Sequence, residues 1–173
     1  DIVGKIHNVP LHKLWGGPVR DYVRLYCHLG GGNLDSFYNT PVDNAKQFAD
    51  LAAQAVADGY TAFKSMAVPP TMPVEGLRAI NAATACVAAM RDAVGPAFEI
   101  MTDANQRFTV DEAIRRARCL TPLDIAWFEE PLTADDINGH VRLSQSTTIP
   151  IAVGESLYSH LHVREYLERG ACS

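Results

Sequence analysis

Ile100-Met101-Thr102-Asp103, Ala126-Trp127-Phe128-Glu129 and Ala152-Val153-Gly154-Glu155 share one form, a short apolar run closed by a carboxylate. The acids are evenly placed, 26 residues from Asp103 to Glu129 and 26 from Glu129 to Glu155. A constant step of that size holds one strand–loop–helix unit, so each acid falls at the same level of successive parallel strands. If the sheet curves into a barrel, that level is its C-terminal mouth, where barrel active sites lie.

Outward from these three phrases the same alternation continues. Val23-Arg24-Leu25-Tyr26-Cys27-His28 reads as a first strand and runs into the breaker cluster Gly30-Gly31-Gly32-Asn33. Thr40-Pro41-Val42-Asp43 is a helix start, continued by Phe48, Leu51, Ala52, Ala55 and Val56 and stopped by Asp58-Gly59. Thr61-Ala62-Phe63-Lys64-Ser65-Met66 is a second strand, followed by a proline-punctuated loop and an alanine-rich helix from about Val74 to Ala93. Phe98 to Thr102 makes a third strand, and Thr109-Val110-Asp111-Glu112 is a capping box opening the next helix. Ile125 to Phe128 and Pro150 to Val153 supply the fourth and fifth strands. Helices are predicted around Asp136 to Ser144 and from His160 to Arg169. The pattern predicts an α/β fold with a parallel sheet, over residues 22–173. A composition shift before Tyr22 sets off a leading helix, Asp1 to Gly17, within residues 1–21.

Composition removes several alternatives. The 173 residues carry 15 Lys and Arg against 20 Asp and Glu, a formal charge of −5, so no basic face for nucleic acid is expected. At 47% hydrophobic residues the chain is not compositionally disordered, and no run approaches the roughly 18 apolar residues of a membrane span. Asp1-Ile2-Val3-Gly4-Lys5 lacks the basic start and apolar run of a signal peptide. Cys27, Cys86, Cys119 and Cys172 are widely spaced, which suggests reduced thiols and a cytoplasmic setting. The start without Met, and Gly170-Ala171-Cys172-Ser173 at the end, read as a fragment of a longer protein.

Three carboxylates converging at one mouth repel unless a hard cation is present. Oxygen-only ligation suits Mg²⁺, which leaves coordination sites open for substrate. Any one such acid, taken alone, reads better as a solvated loop residue; three in register favour the metal. Glu130, next to Glu129, is expected to point away from the ligand direction.

Asp1-Ile2-Val3-Gly4-Lys5 with Pro10, Leu14 and Gly16-Gly17 resembles the signature helix of the mandelate racemase/muconate lactonizing branch of the enolase superfamily. Thr102-Asp103-Ala104-Asn105-Gln106, Trp127-Phe128-Glu129-Glu130-Pro131 and Gly154-Glu155-Ser156 are similar to that family's three metal-ligand strands. The resemblance implies a partial (β/α) TIM-type barrel, about its first five strands, preceded by the last helix of an N-terminal capping domain. It also implies Mg²⁺ held by Asp103, Glu129 and Glu155. A complete barrel has about eight strands, and the family's His–Asp dyad comes from later strands that this chain lacks.

The family's common chemistry is removal of a proton α to a carboxylate whose oxygens bind Mg²⁺, with a Lys or His as base. Lys64 matches the first lysine of the family's Lys-x-Lys strand, beside the substrate carboxylate, while Met66 stands where the second, proton-abstracting lysine would be. A solvated strand-end lysine is an equal reading of Lys64. Asn105, two residues past Asp103 on a segment read as extended, would hydrogen-bond substrate without transferring a proton; a turn-forming Asn is the rival. His28 is a weaker candidate for the mouth. His140, His160 and His162 are expected to face solvent, Trp127 to face core or barrel wall, and Cys86 and Cys119 to be buried.

The stretch from Val19-Arg20-Asp21 through Leu25-Tyr26 to Gly30-Gly31-Gly32 resembles the sugar-acid dehydratases, as does Asp135-Asp136-Ile137-Asn138-Gly139-His140. The expected parent protein is therefore a Mg²⁺-dependent hydro-lyase acting on a small sugar-acid carboxylate through an enediolate. It is expected to be a homo-oligomer with no nucleic-acid or membrane partner, and the fragment alone to be inactive. Racemisation or cycloisomerisation from the same enediolate is the alternative, and a non-catalytic metal-binding remnant is the alternative from another class.

Overall fold

Four helices of the described residues open on a side chain that accepts a backbone N–H three residues ahead: Asn44 from Gln47, Thr109 from Glu112, Asp136 from Gly139 and Ser159 from His162. Each satisfies one of the N–H groups that a helix start leaves without a partner. The structure, a computed structural model, describes residues 1–29, 44–68 and 74–173. Two short helices lead, α1 (Ile2–His7) and α2 (Leu11–Leu14). After them come β1 (Cys27–His28), α3 (Ala45–Ala57), β2 (Ala62–Ser65), α4 (Gly76–Val94) and β3 (Glu99–Asp103). The chain continues with α5 (Val110–Leu120), a 3₁₀ turn (Thr121–Leu123), β4 (Trp127–Glu129), α6 (Ile137–Ser144), β5 (Ile151–Ala152) and α7 (His160–Glu168).

The strands form one parallel sheet in the order β1-β2-β3-β4-β5. Sequential order without a reversal is barrel topology; a doubly wound sheet would switch direction part-way. Register separates the two faces. Phe63, Ile100, Phe128 and Ile151 are at most 1% exposed and pack towards the helices in one core with Ala52, Val87, Met90, Ala117 and Leu143. Burial of each large side chain contributes on the order of 2 kcal/mol. Ser65 and Thr102, register partners on that face, bury hydroxyls without a hydrogen-bond partner among the described residues. Lys64, Met101, Asp103, Trp127, Glu129 and Ala152 take the opposite face. Arg91 joins two units: its guanidinium donates to the carbonyls of Gly95, Phe98, Leu123 and Asp124, fixing the end of α4 against the approach to β4.

Several expectations need correction. The leading helix is two pieces, because Asn8 takes a left-handed C-cap (φ 50) and Pro10 follows. The first strand pairs only over Cys27–His28; before it, Arg24 ties to Thr61 and Glu99 through its side chain and leaves Val23 and Leu25 exposed. The helix after it is capped by Asn44, and the expected Thr40-Pro41 start lies outside the described residues, as do Gly30 to Asn33 and most of the proline-rich loop. Val56, read as part of that helix's apolar face, is exposed. Among the described residues no helix is long and apolar enough to cross a membrane.

Candidate active site

Lys64 stands near the end of β2 with 7% of its surface exposed, and its ammonium reaches diagonally across the sheet. It pairs with Asp103 Oδ2 at 2.9 Å and also with Glu129 Oε1. Asp103 and Glu129 close β3 and β4 and are register partners. The second oxygen of each carboxylate is held as well. Asn105 N–H donates to Asp103 Oδ1 at 2.9 Å, and the Trp127 indole N–H donates to Glu129 Oε2 at 2.8 Å. Burial alone would push the Lys64 ammonium down. The hydrogen bonds and charges of Glu129 and Asp103 outweigh it and hold the group above the ordinary lysine range.

His28, the register partner of Lys64 on β1, shares the face. Burial first, then the Lys64 charge, lowers its pKa, with Asp103 and Glu129 pulling the other way. Tyr26 packs edge-on against Trp127, ring centroids 5.8 Å apart, and so supports the ring whose N–H holds Glu129.

Glu155 lies in the turn after β5 and is exposed. It shares a shallow pocket with Glu129, Glu130, Trp127, Ala152, Val153 and Gly154. Thus Asp103 and Glu129 meet at one ammonium, and Glu129 and Glu155 meet at one pocket. Among the described residues no three His, Cys, Asp or Glu side chains are gathered tightly enough to grip an ion as they stand.

Asn105 departs from its expected geometry. β3 ends at Asp103, and Asn105 and Gln106 both take positive φ (50 and 59), so the extended continuation does not form and the exposed Asn105 side chain sits in a turn. Met66 is buried just beyond β2.

The expected solvent position holds for His160 and His162 but not for His140, which has no exposed surface and packs edge-on against Tyr166. Cys86 is buried and Cys119 only half-buried.

A family model described as enolase C-terminal domain-like matches residues 47–173. The chain belongs to that family.

Within the family it is 34% identical to D-galactonate dehydratase of Variovorax paradoxus, over 98% of this chain and 42% of the relative. It is 37% identical to 3,6-anhydro-alpha-L-galactonate cycloisomerase of Streptomyces coelicolor, over 92% of this chain and 39% of the relative. A solved structure of an enolase superfamily member from Salmonella Typhimurium superposes with a TM-score of 0.87 at 28% identity, covering 99% of this chain and 47% of the other. The chain spans less than half the length of these relatives. The mandelate racemase/muconate lactonizing resemblance and the barrel-type fold read from the sequence agree with these matches.

Family motifs did not point to three contacts that shape the site. Trp127 engages a carboxylate, whereas its strand position suggests core or barrel wall. Gln106 donates its side-chain amide to Ser156 Oγ, joining the turns after β3 and β5. Glu130 turns its buried carboxylate to the backbone of Gly154 and Glu155. Only the double-acid step Glu129-Glu130 hinted at the last, because consecutive strand side chains face opposite ways.

Proposed function

We propose that the protein carrying this chain is a Mg²⁺-dependent sugar-acid dehydratase that removes the proton α to the substrate carboxylate and eliminates the β-hydroxyl as water. The observation that carries the reading is the pairing of Asp103 with Glu129, register partners, around a single cation, the Lys64 ammonium. Dehydration is favoured by similarity to a D-galactonate dehydratase and to the D-gluconate dehydratase of Thermoproteus tenax.

The donor set fits a hard divalent ion: carboxylate oxygens only, two of them already turned towards positive charge. Asp103, Glu129 and Glu155 would hold it. When bound, the ion supplies Lewis-acid stabilisation of the negative charge that develops on the substrate carboxylate as the α-proton leaves.

The chain's own residues divide the remaining work. The Asn105 N–H and the Trp127 indole hold Asp103 and Glu129 in fixed orientations, so these carboxylates are organised before substrate arrives. Lys64, paired with Asp103 and Glu129, is assigned to attracting and orienting a carboxylate substrate. Met66 has no proton-accepting group. We assign the α-proton to a base supplied by the rest of the protein, as the family resemblance implies, and the hydroxyl leaves from the adjacent carbon with a returned proton. Asn105, exposed in its turn, offers a neutral amide to a substrate hydroxyl.

The test is incubation of the protein carrying this chain with Mg²⁺ and a panel of sugar acids in D₂O. Semicarbazide detection of keto acid and NMR of recovered substrate give the readouts. A 2-keto-3-deoxy acid from at least one member is expected. Epimerised substrate with deuterium at C2, and no keto acid from any member, would overturn the dehydratase reading in favour of racemisation.

A further inference from the structure

We propose that Glu130 is a positioning residue that sets the place of Glu155 through the backbone of the Gly154-Glu155 turn, a role that rests on the reading of Glu155 as a metal ligand. Glu130 follows Glu129 directly, yet it is only 2% exposed. Its Oε1 accepts two consecutive backbone N–H groups, from Gly154 at 2.7 Å and from Glu155 at 3.2 Å. One carboxylate oxygen thereby fixes the orientation of two adjacent peptide planes, one of them that of Glu155 itself. Gly154 takes φ 148, a conformation that side-chain-bearing residues rarely adopt, so the turn that presents both N–H groups needs glycine at this point.

The backbone of Glu130 is tied on both sides. Its N–H donates to Ala152 O at 2.9 Å, and its carbonyl accepts from Gln106 N–H at 2.6 Å. Its φ of 41 is the left-handed conformation, rare for a glutamate, and persists because these neighbours hold it there. The contact from Gln106 to Ser156 runs parallel to this one, so the turns after β3, β4 and β5 are stitched together at the level of the three acids. An exposed glutamate in an unsupported turn would sample many positions. Glu155 is exposed at its side chain while its backbone is clamped by a buried charge, which is how a first ligand set is held by the groups behind it.

The experiment is Mg²⁺ titration by calorimetry of the protein carrying this chain, with Glu155→Gln as reference. Glu130→Ala is expected to weaken Mg²⁺ binding about 10- to 100-fold, the usual range for residues that orient a ligand. Glu130→Gln keeps an oxygen for both N–H groups and is expected to bind Mg²⁺ close to the parent protein. In a Glu155→Gln background, Glu130→Ala should add little, because its effect passes through Glu155. Should Glu130→Ala not fold, Glu130→Asp withdraws the oxygen by one methylene, and its loss against Glu130→Gln makes the same comparison. Weakening by Glu155→Gln with none from Glu130→Ala or Glu130→Asp would overturn the positioning role alone. An equal loss from Glu130→Ala with and without Glu155 would do the same. No effect of Glu155→Gln would overturn the ligand reading beneath both.

Discussion

Asp103 and Glu129 are register partners at the ends of β3 and β4, and the Lys64 ammonium from β2 bridges them. Two carboxylates on adjacent strands would otherwise repel, like charges directly opposite in a sheet being destabilising. Here the ammonium turns that repulsion into a partly buried triad with one positive and two negative charges. The residual negative charge faces the mouth, and Glu155 adds to it from the neighbouring turn. On the function proposed above, a divalent cation is the partner that this imbalance would attract.

Lys64→Met tests the triad directly. The substitution keeps an unbranched apolar side chain and removes the charge, leaving Asp103 and Glu129 without their cationic partner. In metal-free buffer the variant is expected to lose about 3 kcal/mol, the low end of the cost of breaking a buried pair. The low end applies because Glu129 is partly open to solvent. Mg²⁺ should then raise the unfolding midpoint more in the variant than in the parent, because the ion relieves a repulsion that the parent has already neutralised. Equal Mg²⁺-induced shifts in the two proteins, read by thermal denaturation, would dismiss this account.

Asp103, Glu129 and Glu155 stand out in the sequence because the spacing of a βαβ unit is a property of chain length and periodicity. Helix starts such as Thr109 and Asp136 are legible for a similar reason, since capping is settled within four residues. The bonds between loops are not local. Gln106 meets Ser156 fifty positions away, and Glu130 meets Gly154 across a whole helix. Nothing in either neighbourhood encodes the partner. Strand alternation predicts the side of Asn105, a rule that ceases to apply where β3 ends at Asp103.

Thr102→Val is expected to stabilise. Thr102 is fully buried on the helix-facing side of β3, and its hydroxyl has no partner among the described residues. An unpaired buried hydroxyl costs about 1–3 kcal/mol, and valine has nearly the same shape and a strong strand preference. A gain of about 1 kcal/mol in denaturant unfolding is expected with the m-value unchanged. A loss of stability would mean that the hydroxyl does find a partner.

His140 is expected to contribute acid sensitivity to the fold. Its place on α6 predicts a water-facing side chain, since a polar residue in an amphipathic helix usually faces solvent. Instead it has no exposed surface. Its Nδ1 lies 2.9 Å from the Asp136 carbonyl, an acceptor only, so Nδ1 carries the proton. The buried Nε2 then remains a bare acceptor without a partner among the described residues. Burial, only partly opposed by the hydrogen bond and charge of Asp136, lowers the pKa below the ordinary histidine value. For a base with a lowered folded pKa, the unfolded chain takes up its proton first as pH falls. The stability contributed by neutral His140 is therefore present above the unfolded pKa of about 6.5 and lost on acidification below it. His140→Phe preserves a ring against Tyr166 and removes the titration. Chemical denaturation at a series of pH values from 7.5 to about 5 should show stability falling more steeply in the parent than in the variant. Parallel curves would show that His140 charges as readily in the folded protein as in the unfolded chain.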